Sequence, residues 1–243
     1  MKEIIIDDIK YIYENNTIFD IQATDWENQE DVTITIPEKI DDKIITNIDI
    51  HRYQSKLSSY NSVSICRRCF RFKKLIIPDS ISAIYEGSFY FLHCKEVVWS
   101  SNCYVIPENC FRCSDIEKIE NIDHVYTIKN AAFAHCESLK EFSWPSKCEI
   151  IPEYCFWGCY KLLSVSNFEA VYVISKAAFL NCENIKTIKP KNISDINFIE
   201  DDAFLRTNLT LDLSETSLSD IDYDFLDRIG VKGNNVILPC FYN

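Results

Sequence analysis

Twelve cysteines and four histidines in 243 residues are the side chains with the widest chemical reach in this chain. Thiolates and imidazoles bind zinc, and paired thiols form disulfides or run redox exchange. Two CxxC pairs, Cys66/Cys69 and Cys110/Cys113, have the spacing of half a zinc site. The histidines, His51, His93, His124 and His135, contain no closely spaced pair to complete it. The cysteines keep a register of a different kind. Cys136, Cys159 and Cys182 each lie three residues after an aromatic, and Cys69, Cys110 and Cys155 immediately precede one, where other stretches carry Ser88, Ala132, Ala178 and Ala203. Cys103 and Cys148 share a phase with Ile81, Val125, Val171 and Ile196. A residue that exchanges with Ala, Ser, Val and Ile is acting as a small buried apolar group, so the expectation is buried, reduced thiols with no metal and no cofactor. The oxidised alternative is pairing along the column Cys113, Cys136, Cys159 and Cys182, whose neighbours would lie about 5 Å apart, within reach of a disulfide.

Other chemistry is sparse. Asp7/Asp8, Asp41/Asp42 and Asp201/Asp202 are paired carboxylates, but each pair sits in or beside a turn and reads as exposed turn acids. No Gly-rich phosphate loop, G-x-S-x-G or H-E-x-x-H is present. Nothing nominates a catalytic residue, and the expectation is a protein that is not an enzyme. Sequons stand at Asn15, Asn192 and Asn208, relevant only on a secretory route.

What positions these residues is a repeat in which an isoleucine is followed five residues later by an aromatic. The pairs are Ile48/Tyr53, Ile65/Phe70, Ile84/Phe89, Ile106/Phe111, Ile128/Phe133, Ile151/Phe156, Ile174/Phe179 and Ile199/Phe204. Successive aromatics are 17, 19, 22, 22, 23, 23 and 25 residues apart, firm in the middle and compressed at the start. A fixed period of this size means a solenoid, in which each unit buries its apolar face only by stacking on a neighbour. The shared phase predicts a parallel sheet of six to nine short strands, with Phe111, Phe133, Phe156 and Phe179 stacked inside.

Composition agrees, at 47% hydrophobic and 26% charged, with only four glycines and seven prolines. The repeat crosses the midpoint unbroken, which predicts a single domain over 1–243: an N-terminal cap at 1–31, repeats at 32–214 and a C-terminal cap at 215–243. Tyr11 to Phe19 reads as a hairpin over the first coil. A net charge of −12 argues against nucleic acid, and the basic stretch Arg67, Arg68, Arg71, Lys73 and Lys74 reads as a solvated edge. Met1 to Lys10 has no secretory apolar core, and no segment is apolar enough to insert in a membrane, which points to a soluble, intracellular or unconventionally exported protein.

Within one unit, Leu139-Lys-Glu-Phe142-Ser-Trp144-Pro145 has the L-x-x-L-x-L form of a short solenoid strand. Pro37, Pro78, Pro145 and Pro190 close several such strands. The segments Ile128-Lys-Asn-Ala-Ala-Phe133-Ala-His-Cys136-Glu-Ser-Leu139 and Ile174-Ser-Lys-Ala-Ala-Phe179-Leu-Asn-Cys182-Glu-Asn-Ile185 resemble the I-x3-AF-x2-C-x2-L unit of BspA-like leucine-rich repeats. Ile34 to Ile48 is similar to that family's opening unit. The resemblance, over about residues 32 to 214, implies an α/β fold: a right-handed leucine-rich-repeat solenoid with a parallel concave sheet and very short helical turns outside. It also implies adhesion or protein binding, cell-surface association, and no catalytic residue.

If Phe142 and Trp144 point inward, strand alternation turns Glu141 and Ser143 outward. The same phase exposes Lys74 and Ile76; Glu96 and Val98; Lys118 and Glu120; Ser164, Ser166 and Phe168; and Thr187 and Lys189. This register is the candidate protein-binding face, and Ile76, Val98 and Phe168 are apolar where solvent alone favours polar side chains. The alternatives are a self-associating structural module and, from another class, a cysteine-based metal or redox protein.

Overall fold

The computed structural model describes residues 1–23, 31–50, 71–217, 221, 223–231 and 235–238. The chain opens with β1 (Lys2–Ile6), β2 (Ile9–Glu14) and β3 (Thr17–Ala23), an antiparallel meander. Its turns use Asp7, Asp8 and Asn15 at positive φ, a backbone region that Asp and Asn enter more readily than most residues. The coils follow: β4 (Thr33–Thr35), a small hairpin of β5 (Lys39–Ile40) and β6 (Lys43–Ile44), then β7 (Asn47–Ile48), β8 (Phe72–Ile76), β9 (Ala83–Ile84), β10 (Cys94–Val98) and β11 (Val105–Ile106). Next come β12 (Lys118–Glu120), β13 (Thr127–Ile128), β14 (Glu141–Ser143), β15 (Ile150–Ile151), β16 (Ser164–Ser166), β17 (Val173–Ile174), β18 (Thr187–Ile188) and β19 (Thr210–Asp212). A helix, α1 (Tyr223–Ile229), and β20 (Val236–Ile237) complete the described elements.

The result is a β-solenoid of about seven turns with parallel sheets and very little helix. Two strand ladders run along it. The longer strands β4, β8, β10 and β12 pair in parallel, as do β14 with β16 and β18 with β19 and β20. The two-residue strands, which carry the repeat isoleucines, pair as β7–β9, β11–β13 and β15–β17. β3 pairs with β7, so the N-terminal meander extends this second ladder.

Ile48 pairs directly with Ile84, and Ile34 with Leu75, so those two coils are neighbours. The expected pair Ile65/Phe70 falls in the sequence between them. That pair and Tyr53 lie outside the described residues, as do Arg67, Arg68, Cys66 and Cys69.

A third ladder joins the outer arcs, and its geometry explains why no helix is needed there. Two residues before and two after each core phenylalanine, φ is positive: Asn109 and Cys113, Ala131 and His135, Tyr154 and Gly158, Ala177 and Asn181, Asp202 and Arg206. These kinks rotate successive peptide planes, so alternate N–H groups bond within the turn and to the next coil. Around Phe133, Ala132, Ala134 and Cys136 donate to carbonyls three residues back, whereas Ala131, Phe133 and His135 donate to Glu153, Cys155 and Trp157. A left-handed conformation costs a non-glycine residue roughly 1–2 kcal/mol, and the inter-coil bonds offset it. An isolated coil would carry the strain without them.

Inside, Phe89, Phe111, Phe133, Phe156, Phe179 and Phe204 form one stack, with neighbouring centroids 5.4 to 5.8 Å apart and planes within 16°. The predicted column is present and extends by a ring at each end. It belongs to one apolar core that runs from Ile9 to Val231. At the C-terminal end Phe225, Leu226 and Ile229 of α1 pack onto that core, and Gly230 at φ +81 lies so close to Leu205 that a Cβ would sit 2.5 Å from its backbone.

Candidate protein-binding face

Alternation places almost all of the expected register outward. Cross-strand partners line up in two columns, Thr33, Lys74, Glu96 and Lys118, and Thr35, Ile76, Val98 and Glu120. Glu141 with Ser164 and Ser143 with Ser166 continue them, followed by Thr187 with Thr210. All of these except the half-buried Ile76, Lys74, Glu96, Val98, Glu120 and Thr210 are exposed. The sequence reading did not include Thr33, Thr35, Thr210 or Asp212, although the same alternation locates them.

Phe168 is the exception, and it corrects the expectation. It is buried, in a short 3-10 turn over Phe168–Ala170 that follows Asn167 at φ 64. Asn167 takes an extra strand position in left-handed conformation, and its amide donates to Ser143 Oγ at 2.8 Å. The next side chain is thereby rotated into the core, where Trp144 stands one coil earlier. Asn121, at φ 62, does the same for Ile122. Asn inside a strand pattern was the missed signal.

Charge on the face is largely self-neutralised. Lys74 Nζ lies 3.2 Å from Glu96 and 3.4 Å from Glu120, and Lys118 also pairs with Glu120. The hydrogen bond from Lys118, followed by that from Lys74, holds the Glu120 carboxyl below its ordinary range. Lys189 bridges Asp212 and Glu215 at 3.4 and 2.9 Å. Between these clusters the face is floored by Ser143, Ser164 and Ser166.

The face also contains a groove of about 710 Å³ that extends from β10 across β12 and β14 to β16, its lining including Glu96, Lys118, Ile119, Glu141, Phe142 and Ser164. Ile119 is only half-buried, whereas its equivalents Leu75, Val97 and Val165 are buried.

The cysteines occupy the interior. Cys136, Cys159 and Cys182 donate their thiol hydrogens to the carbonyls of Phe111, Phe133 and Phe156, one coil back, at 3.1, 3.1 and 3.0 Å. Ser114 holds the equivalent place next to Phe111, and its hydroxyl donates to that carbonyl at 2.6 Å. Cys113 is therefore not in this column but one residue before it, at a half-buried left-handed position. Burial pushes the thiols of Cys94, Cys136 and Cys148 up to about 12 and that of Cys103 to about 11. It also raises Cys155, Cys159 and Cys182 well above the ordinary thiol range. Such groups stay protonated at neutral pH and serve as packing and hydrogen-bond donors, not nucleophiles. Among the described residues no three His, Cys, Asp or Glu side chains come together to hold a metal. Alkylation of the reduced native protein with iodoacetamide should modify Cys113 and leave Cys136, Cys155, Cys159 and Cys182 intact until unfolding. Modification of these four in the folded state, read by mass spectrometry, would count against a closed core.

The paired carboxylates Asp7/Asp8 and Asp41/Asp42 are hairpin-turn residues with positive φ, and Asp202 is an arc residue of the same kind. Among the described residues no helix is long and apolar enough to cross a membrane.

Known proteins share this architecture. The profile of the BspA type leucine-rich repeat region matches in six copies, over residues 42–163 and 106–228. A leucine rich cell surface protein from Faecalibacterium prausnitzii A2-165 is 22% identical, with a TM-score of 0.61 over 87% of this chain and 55% of its own. A leucine-rich repeat protein from Bacteroides ovatus ATCC 8483 is 21% identical, with a TM-score of 0.54 over 85% of this chain and 57% of its own. The T. pallidum leucine rich repeat protein is 14% identical, with a TM-score of 0.53 over 97% and 100%. The chain thus spans little more than half the length of the first two, and at these identities the likeness establishes the fold. No curated protein matches it. Leucine-rich-repeat solenoids of this kind are typically non-enzymatic scaffolds, and the setting is consistent with a protein-binding or adhesion module. With the repeat profile matched over more than half its length, the chain belongs to the BspA type leucine-rich repeat family.

Proposed function

We propose that the chain is a non-enzymatic binding module, of adhesion or scaffold type, that engages a protein across the outward register of β8 to β18. The reading takes residues 1–243 as one domain, closed by the meander at one end and by the segment around α1 at the other. The observation that carries it is the apolar material on an otherwise ion-paired face. Ile76 and Val98 sit side by side on β8 and β10, and Ile119 and Phe142 line the neighbouring groove. Rigid strands offer such an array at little ordering cost. A pull-down from the source cell with the intact chain as bait supplies the partner. Val98→Asp and Ile76→Asp should then weaken binding at least about tenfold, as loss of central apolar contacts does, with the melting temperature nearly unchanged. Undiminished binding in both variants places the site elsewhere.

A second reading, self-association, is favoured by Ile237 of the outermost strand β20 and Leu238 just after it, which are half exposed. Light scattering across concentration separates the two, since a monomeric binder keeps one mass.

A further inference from the structure

Both strand ladders are interrupted at the same place. Of the coil junctions among the described residues, that between the β12–β13 coil and the β14–β15 coil alone lacks pairing on both the long strands and the short ones. β9 and β11 are unpaired, but β8 and β10 of the same two coils are paired. β16 and β18 are unpaired, but Ile174 bridges Ile199 beside them. At the doubly broken junction the arc ladder persists, through Ala131 to Glu153, Phe133 to Cys155 and His135 to Trp157.

Each break coincides with a particular residue. In neighbouring coils the residue after the repeat isoleucine donates its N–H across the junction: Tyr85 to Ile48, Lys129 to Ile106, Ser175 to Ile151 and Glu200 to Ile174, all at 2.9 to 3.0 Å. Pro152 occupies that position here and has no N–H to give. On the sheet side, Phe142 stands where other coils have Leu75, Val97, Ile119 or Val165. Its ring packs edge-on between Phe133 and Phe156, at 4.9 and 5.1 Å, a bulkier filling than the aliphatic side chains of the other coils. Cavities open on both sides of the break, about 710 Å³ on the sheet side and about 520 Å³ beside Pro152.

We propose that the solenoid flexes at this junction, with the arc ladder as the hinge and the two unpaired flanks opening and closing as a crease. Every other junction among the described residues keeps at least one strand pairing or bridge, whereas this one is held by the arc ladder and by two bonds that involve side chains, Ser146 N–H to Asp123 and Cys148 Sγ to Val125 O, and so rotates about the arc side. The inference stands on hydrogen bonding and packing within the chain, and so is independent of what the face binds.

A matched pair of amides tests it. Ser146 N–H donates to Asp123 Oδ1 across the crease at 3.2 Å, and Ser101 N–H donates to Asp79 Oδ1 at 2.8 Å across a junction whose long strands are paired. Hydrogen exchange on the full chain should find Ser146 exchanging at least about tenfold faster than Ser101, because local opening sets the rate. A two-histidine clamp across the crease, Lys118→His with Glu141→His, should take zinc and slow Ser146 toward the rate of Ser101, with the effect reversed by a chelator. Equal exchange in the parent chain overturns the proposal. So does a zinc-loaded clamp that leaves Ser146 unchanged, or a pair that takes no zinc, since the strands then never close to ladder spacing.

Discussion

The reduced protein should unfold cooperatively as the pH is raised to between about 9.5 and 10.5. Seven thiols have folded-state values raised by burial: Cys94, Cys103, Cys136, Cys148, Cys155, Cys159 and Cys182. In the unfolded chain a thiol ionises near about 8.5. Below that value both states hold these protons and the thiols confer no pH dependence. Above it the unfolded chain releases protons that the folded chain retains, so stability falls until the folded values, about 11 and higher, are reached. Once the unfolded thiols are ionised, each contributes about 1.4 kcal/mol per pH unit. Seven acting together change stability by roughly 10 kcal/mol per unit, comparable with the whole stability of a typical domain, about 5–15 kcal/mol. Circular dichroism against pH, with a reductant present, measures the midpoint. The triple variant Cys136→Ser/Cys159→Ser/Cys182→Ser should lose about four tenths of the steepness, and Ser114 shows that serine suits the position. A midpoint above about pH 11, or an unaltered slope in the triple variant, would remove burial of the thiols as the cause.

Replacing Phe156 by Ala should cost about 3–5 kcal/mol in chemical denaturation. Phe156 stacks on Phe133 and Phe179 and meets Phe142 and Trp144 edge-on at 5.1 and 6.1 Å, so its loss opens a cavity shared by three coils. The arcs above and below cannot collapse into it, because their inter-coil hydrogen bonds fix the spacing. A loss under about 1 kcal/mol would mean that the ring is not in a closed interior column.

Period and phase were legible in the chain wherever one side chain per coil does one job. The phenylalanine stack, the inward cysteines and the outward Lys74, Glu96, Ser164 and Thr187 all follow from alternation and a count of residues. What escaped were places where a backbone conformation overrides alternation. Asn167 in left-handed geometry buries Phe168, and the alternation rule has no way to register one inserted residue. The groove was hidden for another reason. Neither Phe142 nor Pro152 stands out alone, and only their coincidence at one junction marks the place where both ladders are interrupted. The ion-paired half of the face could be read only once Lys74, Glu96 and Glu120 were known to be cross-strand neighbours.

The asparagine insertions bear on how such a surface diversifies. From Val98 to Cys103, from Glu120 to Val125, from Ser143 to Cys148 and from Ser166 to Val171 the chain advances by the same number of residues, with or without an inserted asparagine. The coils with Asn121 or Asn167 gain one position at the strand and give up one in the following bend, so their circumference is conserved. A lineage can therefore lengthen or shorten individual strands on the exposed side while the aromatic stack stays in phase. The surface offered to partners and the packing that supports it are heritable as nearly separate traits.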